Sequence, residues 1–500
     1  MVKFRWAGFL AMSLMVCRAT PAQTSQVTAL VAPTPPMGWN SWDAYGLTIT
    51  EEQFRANVKV LATQLKPYGW NYAVIDEGWF FYNPQDRPRP DTLHYAIDAY
   101  GRYIPVPERF PSSAAPSNQV ELPPPGARPV AGPPKLNATI GETSFKSLGD
   151  WVHSQGLKFG IHIVRGIPRA SVERNLPIAD SSFTVTDAAD TSDACPWDPT
   201  NWGVKDNAAG QAWYDSLLKQ YADWGVDLLK VDCIANNPYK IDEIRMIRRA
   251  IDKTGRPIVL SLSPGPTALE HADEVAREAQ MWRISNDIWD LWVNPRGWPI
   301  AVSSQFARLA AWAPHAKPGN WPDADMLPLG ELRPSPGEGA PRTTRLTPTE
   351  QRTLLTLWSI ARSPLILGAN LTLLNQPTLK LLTAPNVLRI DQVATHSGQV
   401  LHSGDVIAWV ADLPADLPAN LPAALRPARR SDAAGATTAL ALFNTGDTPV
   451  TITTSFAAYH LDAMTYRVTD AWSGKSLGKI KSIENLTIEP HDSVLWLLKK

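Results

Sequence analysis

The feature that most constrains the fold is a repeated alternation of short apolar strands with helical patterns between residues 35 and 395. Helical spacing of apolar residues follows Thr50 and Thr347, and each of these begins a capping-box pattern. Alternation repeated this often predicts a parallel α/β fold, and the length suits a (β/α)8 TIM barrel. The predicted strands, besides one near residue 38, are 72–80, 158–164, 227–233, 257–263, 281–287 and 364–370.

Two irregular stretches interrupt this pattern. The segment near 111–137 is rich in proline and lacks periodicity, which predicts an exposed insertion, and the segment 166–206 is polar and rich in aspartate. From residue 396 the sequence changes to short β-rich runs separated by turn residues, which predicts an antiparallel β-sandwich. We therefore expect a barrel domain over 33–395 and a sandwich domain over 396–500.

The N-terminus has the pattern of a secretory signal peptide. Two basic residues precede an apolar run from Trp6 to Cys17, and a stretch of small residues ends at Ala22. We expect residues 1–22 to be removed and the mature protein to be exported to the periplasm or beyond the cell. The apolar run is too short to span a bilayer, so no membrane partner is predicted.

Two cysteines remain after removal of the signal peptide, Cys195 and Cys233. In an exported protein they most simply form a disulfide, with two free thiols as the alternative. The formal net charge is −1, which gives no support for a nucleic-acid partner. The nine histidines are scattered and no phosphate-binding glycine loop occurs, so we predict neither a metal nor a cofactor. The sequence does not indicate the oligomeric state.

The predicted strand 227–233 carries two charges, Lys230 and Asp232, although buried strands rarely do. Alternation places both side chains on one face of the strand. They could form a structural ion pair, or they could stand at the C-terminal end of a barrel strand, where active sites occur. Polar residues near the ends of other predicted strands are Asp76, Glu77, His162, Ser263, Arg283 and Asp287, and a loop at 319–327 adds Trp321, Asp323 and Asp325.

Carboxylates beside tryptophans suit the cleavage of a glycosidic bond. One carboxylate attacks the anomeric carbon while a second, protonated, donates to the leaving oxygen. The chain has 20 tryptophans, whose faces pack well on the apolar faces of sugars, although most of them are expected in the core. We choose Asp232 and Asp287 as the pair, because their separation of 55 residues corresponds to about two βα units.

A set of motifs in fixed order resembles glycoside hydrolase family 27, whose best-known members are retaining α-galactosidases. The motifs are PPMGWNSWDAYG (35–46), YAVIDEGW (72–79), SLGDWVHSQGLKFGIHI (147–163), DLLKVDC (227–233), WRISND (282–287) and WPDADMLPLG (321–330). The resemblance extends from about Pro35 to the C-terminus, since the family also carries a β-sandwich after its barrel.

The resemblance implies a role for each matched residue. Asp232 matches the nucleophile and Asp287 the general acid/base of a double displacement. The residues that match sugar-binding positions are Lys230 at the 3- and 4-hydroxyls, Asp76 and Glu77 at the 4- and 6-hydroxyls, Arg283 and Asp325 near the 2- and 3-hydroxyls, and Trp42 against the ring. We add His162 and Ser263, which stand at neighbouring strand ends, to the candidate substrate-binding set.

Several positions depart from the family pattern. Glu77 replaces a usual aspartate, and its extra methylene extends the carboxyl toward the C6 hydroxymethyl group. His162 replaces a tyrosine of the eukaryotic members, the loop 261–266 is unlike the usual loop at the 2-position, and Cys233 is one residue nearer the nucleophile than the usual cysteine.

These departures leave three hypotheses. The first is an exported retaining exo-glycosidase acting on α-D-galactosides, and the second is the same chemistry on β-L-arabinopyranosides or another related sugar. The third is a catalytically silent carbohydrate-binding protein, which the presence of both Asp232 and Asp287 disfavours. The predicted partner is a galactoside or related saccharide.

Overall fold

The computed structural model of the chain describes residues 1–2, 30–84, 94–114, 137–333, 340–427 and 437–500. Most of the predicted signal peptide and most of the proline-rich insertion near 111–137 lie outside the described residues. The compact body extends from Val31 to Lys500. Within the described part of the chain, no helix has both the length and the apolar character that a membrane span requires.

Eight parallel strands form one curved sheet that follows the order of the chain. They are β1 (Met37–Asn40), β2 (Tyr72–Ile75), β3 (Lys158–Val164), β4 (Val226–Asp232), β5 (Val259–Leu262), β6 (Met281–Arg283), β7 (Trp321–Asp323) and β8 (Leu365–Leu367). β8 returns to pair with β1, with Met37 opposite Leu365. Leu327, four residues after β7, closes the ring by bridging to Leu367 of β8. The predicted (β/α)8 barrel is therefore confirmed.

A helix follows each strand and covers the outside of the barrel. The helices are α1 (Glu51–Val60), α2 (Lys146–Ser154), α3 (Ala208–Asp223), α4 (Ile241–Thr254), α5 (Ala272–Glu278), α6 (Gln305–Trp312), α7 (Pro348–Ala361) and α8 (Pro385–Val393). The capping boxes predicted at Thr50 and Thr347 are both present, because each threonine side chain accepts the N3 amide and each N3 side chain accepts the amide of the cap.

Strand β4 shows why charges occur in an apolar sequence. Leu228 belongs to the cluster that fills the barrel interior, together with Tyr72, Val259, Met281 and Ile366. Leu229 and Val231 belong to the larger core between the strands and the helices. Because side chains alternate along a strand, Lys230 and Asp232 lie on the interior face, above Leu228 and toward the C-terminal mouth. The apolar side chains close the lower part of the barrel and leave the mouth polar.

The C-terminal part of the chain is an antiparallel β-sandwich, as predicted. Its strands are β9 (Thr395–Ser403), β10 (Val406–Leu413), β11 (Thr437–Asn444), β12 (Val450–Ser455), β13 (Tyr466–Asp470), β14 (Ser476–Ile480), β15 (Ser482–Ile488) and β16 (Ser493–Lys499). Six strands form one sheet in the order β9–β10–β11–β16–β13–β14, and β12 pairs with β15 in the second sheet. Leu440 and Leu442 of β11 point into the sandwich core, while Phe443 packs toward the barrel.

The sandwich contacts the barrel through aromatic and charged groups. Phe443 packs edge-on against Phe306 of α6, with 5.0 Å between ring centroids. His491 stacks on Trp292, in the segment after β6, at 4.6 Å, and its Nδ1 lies 2.9 Å from a carboxylate oxygen of Glu350 at the start of α7. These contacts attach the sandwich to the segment that follows β6 and to the start of α7.

The segment 166–206, irregular in the sequence, contains a small three-stranded sheet formed by Ile167–Pro168, Ala189–Ala194 and Asn201–Val204. Cys195 follows its second strand and is bonded to Cys233, which follows β4, with 5.9 Å between the Cα atoms. The disulfide predicted from the cysteine count is therefore confirmed. It attaches this segment to the end of β4.

We expect the disulfide to contribute to stability because it closes a loop with a sequence separation of 38 residues. The chain-entropy model gives roughly 3–4 kcal/mol for a loop of this length. Replacing both Cys195 and Cys233 with serine should lower the free energy of unfolding in urea by about this amount. A reducing agent should lower the stability of the unchanged protein to the same level and leave the double variant unaffected. Equal stability of the two oxidised proteins would contradict this expectation.

Candidate active site

The C-terminal ends of the strands bring the predicted site residues together at one mouth of the barrel. Lys230, Ser263, Arg283 and Asp325 line one cavity there, above apolar residues of the interior that include Leu228. The remaining predicted residues join this group through hydrogen bonds or through charge interactions. They are Trp42 after β1, Asp76 and Glu77 after β2, His162 in β3, Asp232 at the end of β4 and Asp287 after β6.

An ion pair between the ends of β2 and β4, the two strands that flank β3, forms the floor of the mouth. The Nζ of Lys230 lies 2.9 Å from Oδ2 of Asp76, and the side-chain amide of Asn40 donates to the same oxygen at 2.6 Å. Burial alone would raise the pKa of Asp76, but the Lys230 ammonium holds it well below its ordinary value. Asp76 is therefore ionised, and Lys230 keeps its proton.

Asp232 is a carboxylate held at both oxygens. The amide of Cys233 donates to its Oδ1 at 2.5 Å, and Nε2 of His162 lies 3.3 Å from its Oδ2. Burial alone would raise the pKa of Asp232, but the hydrogen bond from His162 and the charge of Lys230 lower it. The side chain is 18% exposed, so the ionised group lies inside the mouth but is open to a bound molecule.

Asp287 stands higher, at the lip of the mouth, with its side chain 50% exposed. Arg283 connects it to the floor, because its two terminal nitrogens lie 3.2 Å from Asp287 and 2.8 Å from Asp325. Oδ2 of Asp325 also accepts the amide of Ile288 at 2.8 Å. Burial raises the pKa of Asp325 to about 7 in spite of the neighbouring guanidinium. One arginine thus positions two carboxyl groups.

Glu77 has a partner that the sequence did not reveal. Asp198, three residues after Cys195, is buried and lies close enough to the Glu77 carboxyl to act on its charge. Burial, together with repulsion from Asp198, raises the pKa of Glu77 well above its ordinary value. Oδ1 of Asp198 accepts the amide of Thr200 at 2.8 Å, which holds the aspartate side chain against its own loop.

Two further residues of the mouth were missed from the sequence, Asn40 and Asp43. Both lie in the motif GWNSWD, Asn40 at the end of β1 and Asp43 just after it, so their position was visible although their role was not. Asn40 supports Asp76, and its Oδ1 accepts the amide of Trp42 at 2.8 Å. Asp43 is buried, and burial together with repulsion from Asp325 raises its pKa well above the ordinary value.

The expectation that 319–327 is a loop was wrong, because residues 321–323 form strand β7. Trp321 is fully buried in the barrel interior, and its indole nitrogen donates to the carbonyl of Ala32 at 2.8 Å. It is a core residue, whereas Asp323 and Asp325 reach the cavity. Among the described residues no group of three metal-binding side chains is present, and the absence of a metal and of a cofactor stays a prediction.

The raised pKa of Asp43 generates a stability prediction. When the pH rises above 3.8, the ordinary pKa of aspartate, Asp43 loses its proton in the unfolded chain but keeps it in the folded protein. Stability therefore falls as pH rises, by up to about 1.4 kcal/mol per pH unit from this group. Asp43→Asn mimics the protonated form, so the variant should lose stability less steeply with pH than the unchanged protein. Urea unfolding at several pH values checks this, with exposed Asp150→Asn as the control, and equal slopes would contradict it.

Comparison with known proteins agrees with this geometry. A family model described as alpha galactosidase A matches residues 205–393, and one described as the alpha galactosidase C-terminal beta sandwich domain matches residues 430–498. The α-galactosidase of Coffea arabica is 24% identical over 93% of each chain, and the α-N-acetylgalactosaminidase of Gallus gallus is 24% identical over 94% of each.

A solved structure is more similar. The family 27 β-L-arabinopyranosidase of Geobacillus stearothermophilus is 37% identical, with a TM-score of 0.79, over 94% of this chain and 97% of that one. This identity extends across both the barrel and the sandwich. The chain therefore belongs to glycoside hydrolase family 27.

Proposed function

We propose that this glycoside hydrolase is a retaining exo-glycosidase that removes a terminal sugar of galacto configuration, with Asp232 as nucleophile and Asp287 as general acid/base. One observation carries the proposal. An ionised carboxylate is held inside the mouth, and a second, more exposed carboxyl stands at the lip, linked to the floor by Arg283. Two carboxyl groups in these settings suit the two roles of a double displacement.

In the first step, an oxygen of Asp232 attacks the anomeric carbon and forms an ester, while Asp287 donates its proton to the departing oxygen. In the second step, Asp287 takes a proton from water, and the water oxygen displaces Asp232 from the sugar. Each step inverts the anomeric carbon, so the product keeps the configuration of the substrate. His162 and the Cys233 amide orient Asp232 throughout.

The floor of the mouth supplies the groups that hold the sugar. The Lys230 ammonium has N–H groups that its contact with Asp76 does not use, and these can donate hydrogen bonds to the sugar. The Asp76 carboxylate accepts hydrogen bonds from hydroxyl groups. Arg283 and Asp325 likewise offer a hydrogen-bond donor and an acceptor, on the side of the mouth next to Asp287. Half-buried Trp42 provides an apolar face for the ring. These residues match the sugar-binding positions expected from the family resemblance.

We propose β-L-arabinopyranose as the preferred glycone. This sugar has the shape of α-D-galactose without the C6 hydroxymethyl group. Glu77 is one methylene longer than the aspartate that is usual in the family, and the charges of Asp76, Asp232 and Asp198 all act on its carboxyl, which places it among the residues of the mouth. The Geobacillus relative supports the choice, since it is a β-L-arabinopyranosidase and an Asp-to-Ala variant of it was solved in complex with arabinose.

α-D-Galactose is the second candidate glycone. The plant and bacterial relatives described as α-galactosidases, at 24–25% identity, support it. A catalytically silent binding protein is a poorer account, because both carboxyl groups are present and both are held by specific partners. We further propose export, since the N-terminal pattern fits a signal peptide and disulfides persist in oxidising compartments.

Asp232→Asn should abolish turnover, because an amide is a poor nucleophile at the anomeric carbon. Activity on a nitrophenyl glycoside of the preferred sugar measures the loss, and exposed Asp150→Asn should retain full activity. The unchanged protein should release the anomer of the substrate first, as observed by NMR during the first minutes of hydrolysis. Release of the opposite anomer, or full activity in Asp232→Asn, would refute the assignment.

Asp287→Ala should slow turnover most for substrates whose leaving group needs a proton. A nitrophenolate leaves almost without a proton, so the rate of the first step should fall least for the nitrophenyl glycoside. For a methyl glycoside, the rate should fall on the order of 100-fold or more. The ratio of the two rates measures the effect. The same fractional loss on both substrates would indicate a structural role instead.

Glu77→Asp should raise the ratio of α-galactosidase to β-L-arabinopyranosidase efficiency. Shortening the side chain makes room for C6, and a change of this size alters discrimination by about 1–3 kcal/mol, which is on the order of tenfold or more. The kcat/KM values for the two nitrophenyl glycosides give the ratio. Glu77→Gln, which keeps the length, is the matched control and should leave the preference for the smaller sugar in place. An unchanged ratio in Glu77→Asp would mean that another group contacts C6.

A further inference from the structure

The segment 288–300, called here the Asp287 loop, rises from the lip of the mouth beside Asp287. Its base is fixed by main-chain hydrogen bonds. The amide of Ile300 donates to the carbonyl of Asp287 at 2.9 Å, and the amide of Trp289 donates to the carbonyl of Ile300 at 3.1 Å. The two ends of the loop are thus held together, directly next to the proposed acid/base.

Side chains anchor the middle of the loop to two other parts of the protein. Asp290 is buried and accepts hydrogen bonds from Arg342 at 2.6 Å and from Arg345 at 2.9 Å. Trp292 stacks on His491 of the sandwich at 4.6 Å. Since a buried ion pair and an aromatic stack hold the loop, it forms a defined surface beside the mouth.

The tip of the loop presents apolar side chains to solvent. Val293 is 63% exposed and Trp298 is 51% exposed. The tip is ordered by Asn294, whose side-chain amide donates to the carbonyl of Pro299 at 2.7 Å and whose Oδ1 accepts the amide of Arg296 at 3.1 Å. Trp298 is only two residues from Ile300, whose main-chain amide hydrogen-bonds the carbonyl of Asp287. An exposed indole on a braced loop at the lip suggests a ligand.

The chemistry of the site identifies the occupant. An acid/base must lie next to the oxygen of the leaving group, so the leaving group lies beside Asp287 and outside the sugar held by the floor. The larger exposure of Asp287, compared with Asp232, places this region toward solvent. The side of the mouth that carries Asp287 also carries the Asp287 loop, whose tip bears Trp298.

We propose that Trp298, with Val293, forms the binding surface for the leaving group, and that this group is a neutral saccharide. This inference rests on the proposed function of Asp287. The apolar face of a sugar ring packs on an indole, while its hydroxyl groups remain in water at the open lip. A methyl group has no such face to pack on the indole. The enzyme should therefore favour oligosaccharides over simple alkyl glycosides.

The test compares two substrates that share one glycone, a disaccharide and a methyl glycoside. Trp298→Ala should lower kcat/KM for the disaccharide on the order of tenfold. The kcat/KM for the methyl glycoside should change by less than about twofold. Trp298→Phe should recover most of the loss, because it restores an aromatic face. Leu477→Ala removes an apolar side chain of the sandwich that is 41% exposed, and it should change neither substrate.

Each other outcome is informative. An equal loss of kcat/KM on both substrates would show that Trp298 only supports the loop. An unchanged kcat/KM for the disaccharide would show that the leaving group binds elsewhere. Either result overturns the inference. If the unchanged protein hydrolyses neither glycoside, the proposed function fails and this inference fails with it. A second readout is transfer of the glycosyl group to an added saccharide acceptor, which should fall relative to hydrolysis in Trp298→Ala and remain unchanged in Leu477→Ala.

Discussion

The ion pair between Lys230 and Asp76 is the constraint on which the site depends. Both side chains occupy the barrel interior, where neither charge would be stable alone, and removing one partner of a buried pair typically costs about 3–5 kcal/mol. Lys230, the cation of this pair, lies two residues before Asp232 and therefore on the same face of β4. The lysine lowers the pKa of both neighbouring carboxyl groups. One charge thus makes the polar mouth compatible with the fold and, after His162, helps to keep the proposed nucleophile ionised.

The two carboxyl groups at the centre of the proposed mechanism are supported in different ways. Asp232 is held from within the barrel, by β3, by the main chain after β4 and, through Cys233, by the disulfide. Asp287 is held by Arg283 and by a loop that is anchored to the sandwich through Trp292 and His491. The sandwich therefore contributes to the lip of the mouth. This arrangement gives the second domain a physical role beside the catalytic barrel.

Much of this could be predicted from the sequence, because strand–helix alternation and polar strand ends are local patterns. The predicted strand 281–287 is shorter in the structure, at 281–283, because the chain turns away once Arg283 has reached the mouth. Strand β7 was missed because three residues that include a proline carry no periodic signal. Asp198 could not have been found, because its contact with Glu77 depends on the path of a long loop. Local rules identify strand ends, whereas contacts between distant loops require the fold.

The central claim is that Asp232 forms a covalent bond to the sugar, and trapping that intermediate tests it most directly. A fluorinated glycosyl fluoride of the preferred glycone forms the ester quickly and releases it slowly, so the modified protein can be digested and its peptides weighed. We predict a single added glycosyl group on the peptide that contains Asp232, and no label on protein in which this residue is asparagine. Label on any other carboxyl group, or an active protein that never accumulates the ester, would contradict the account.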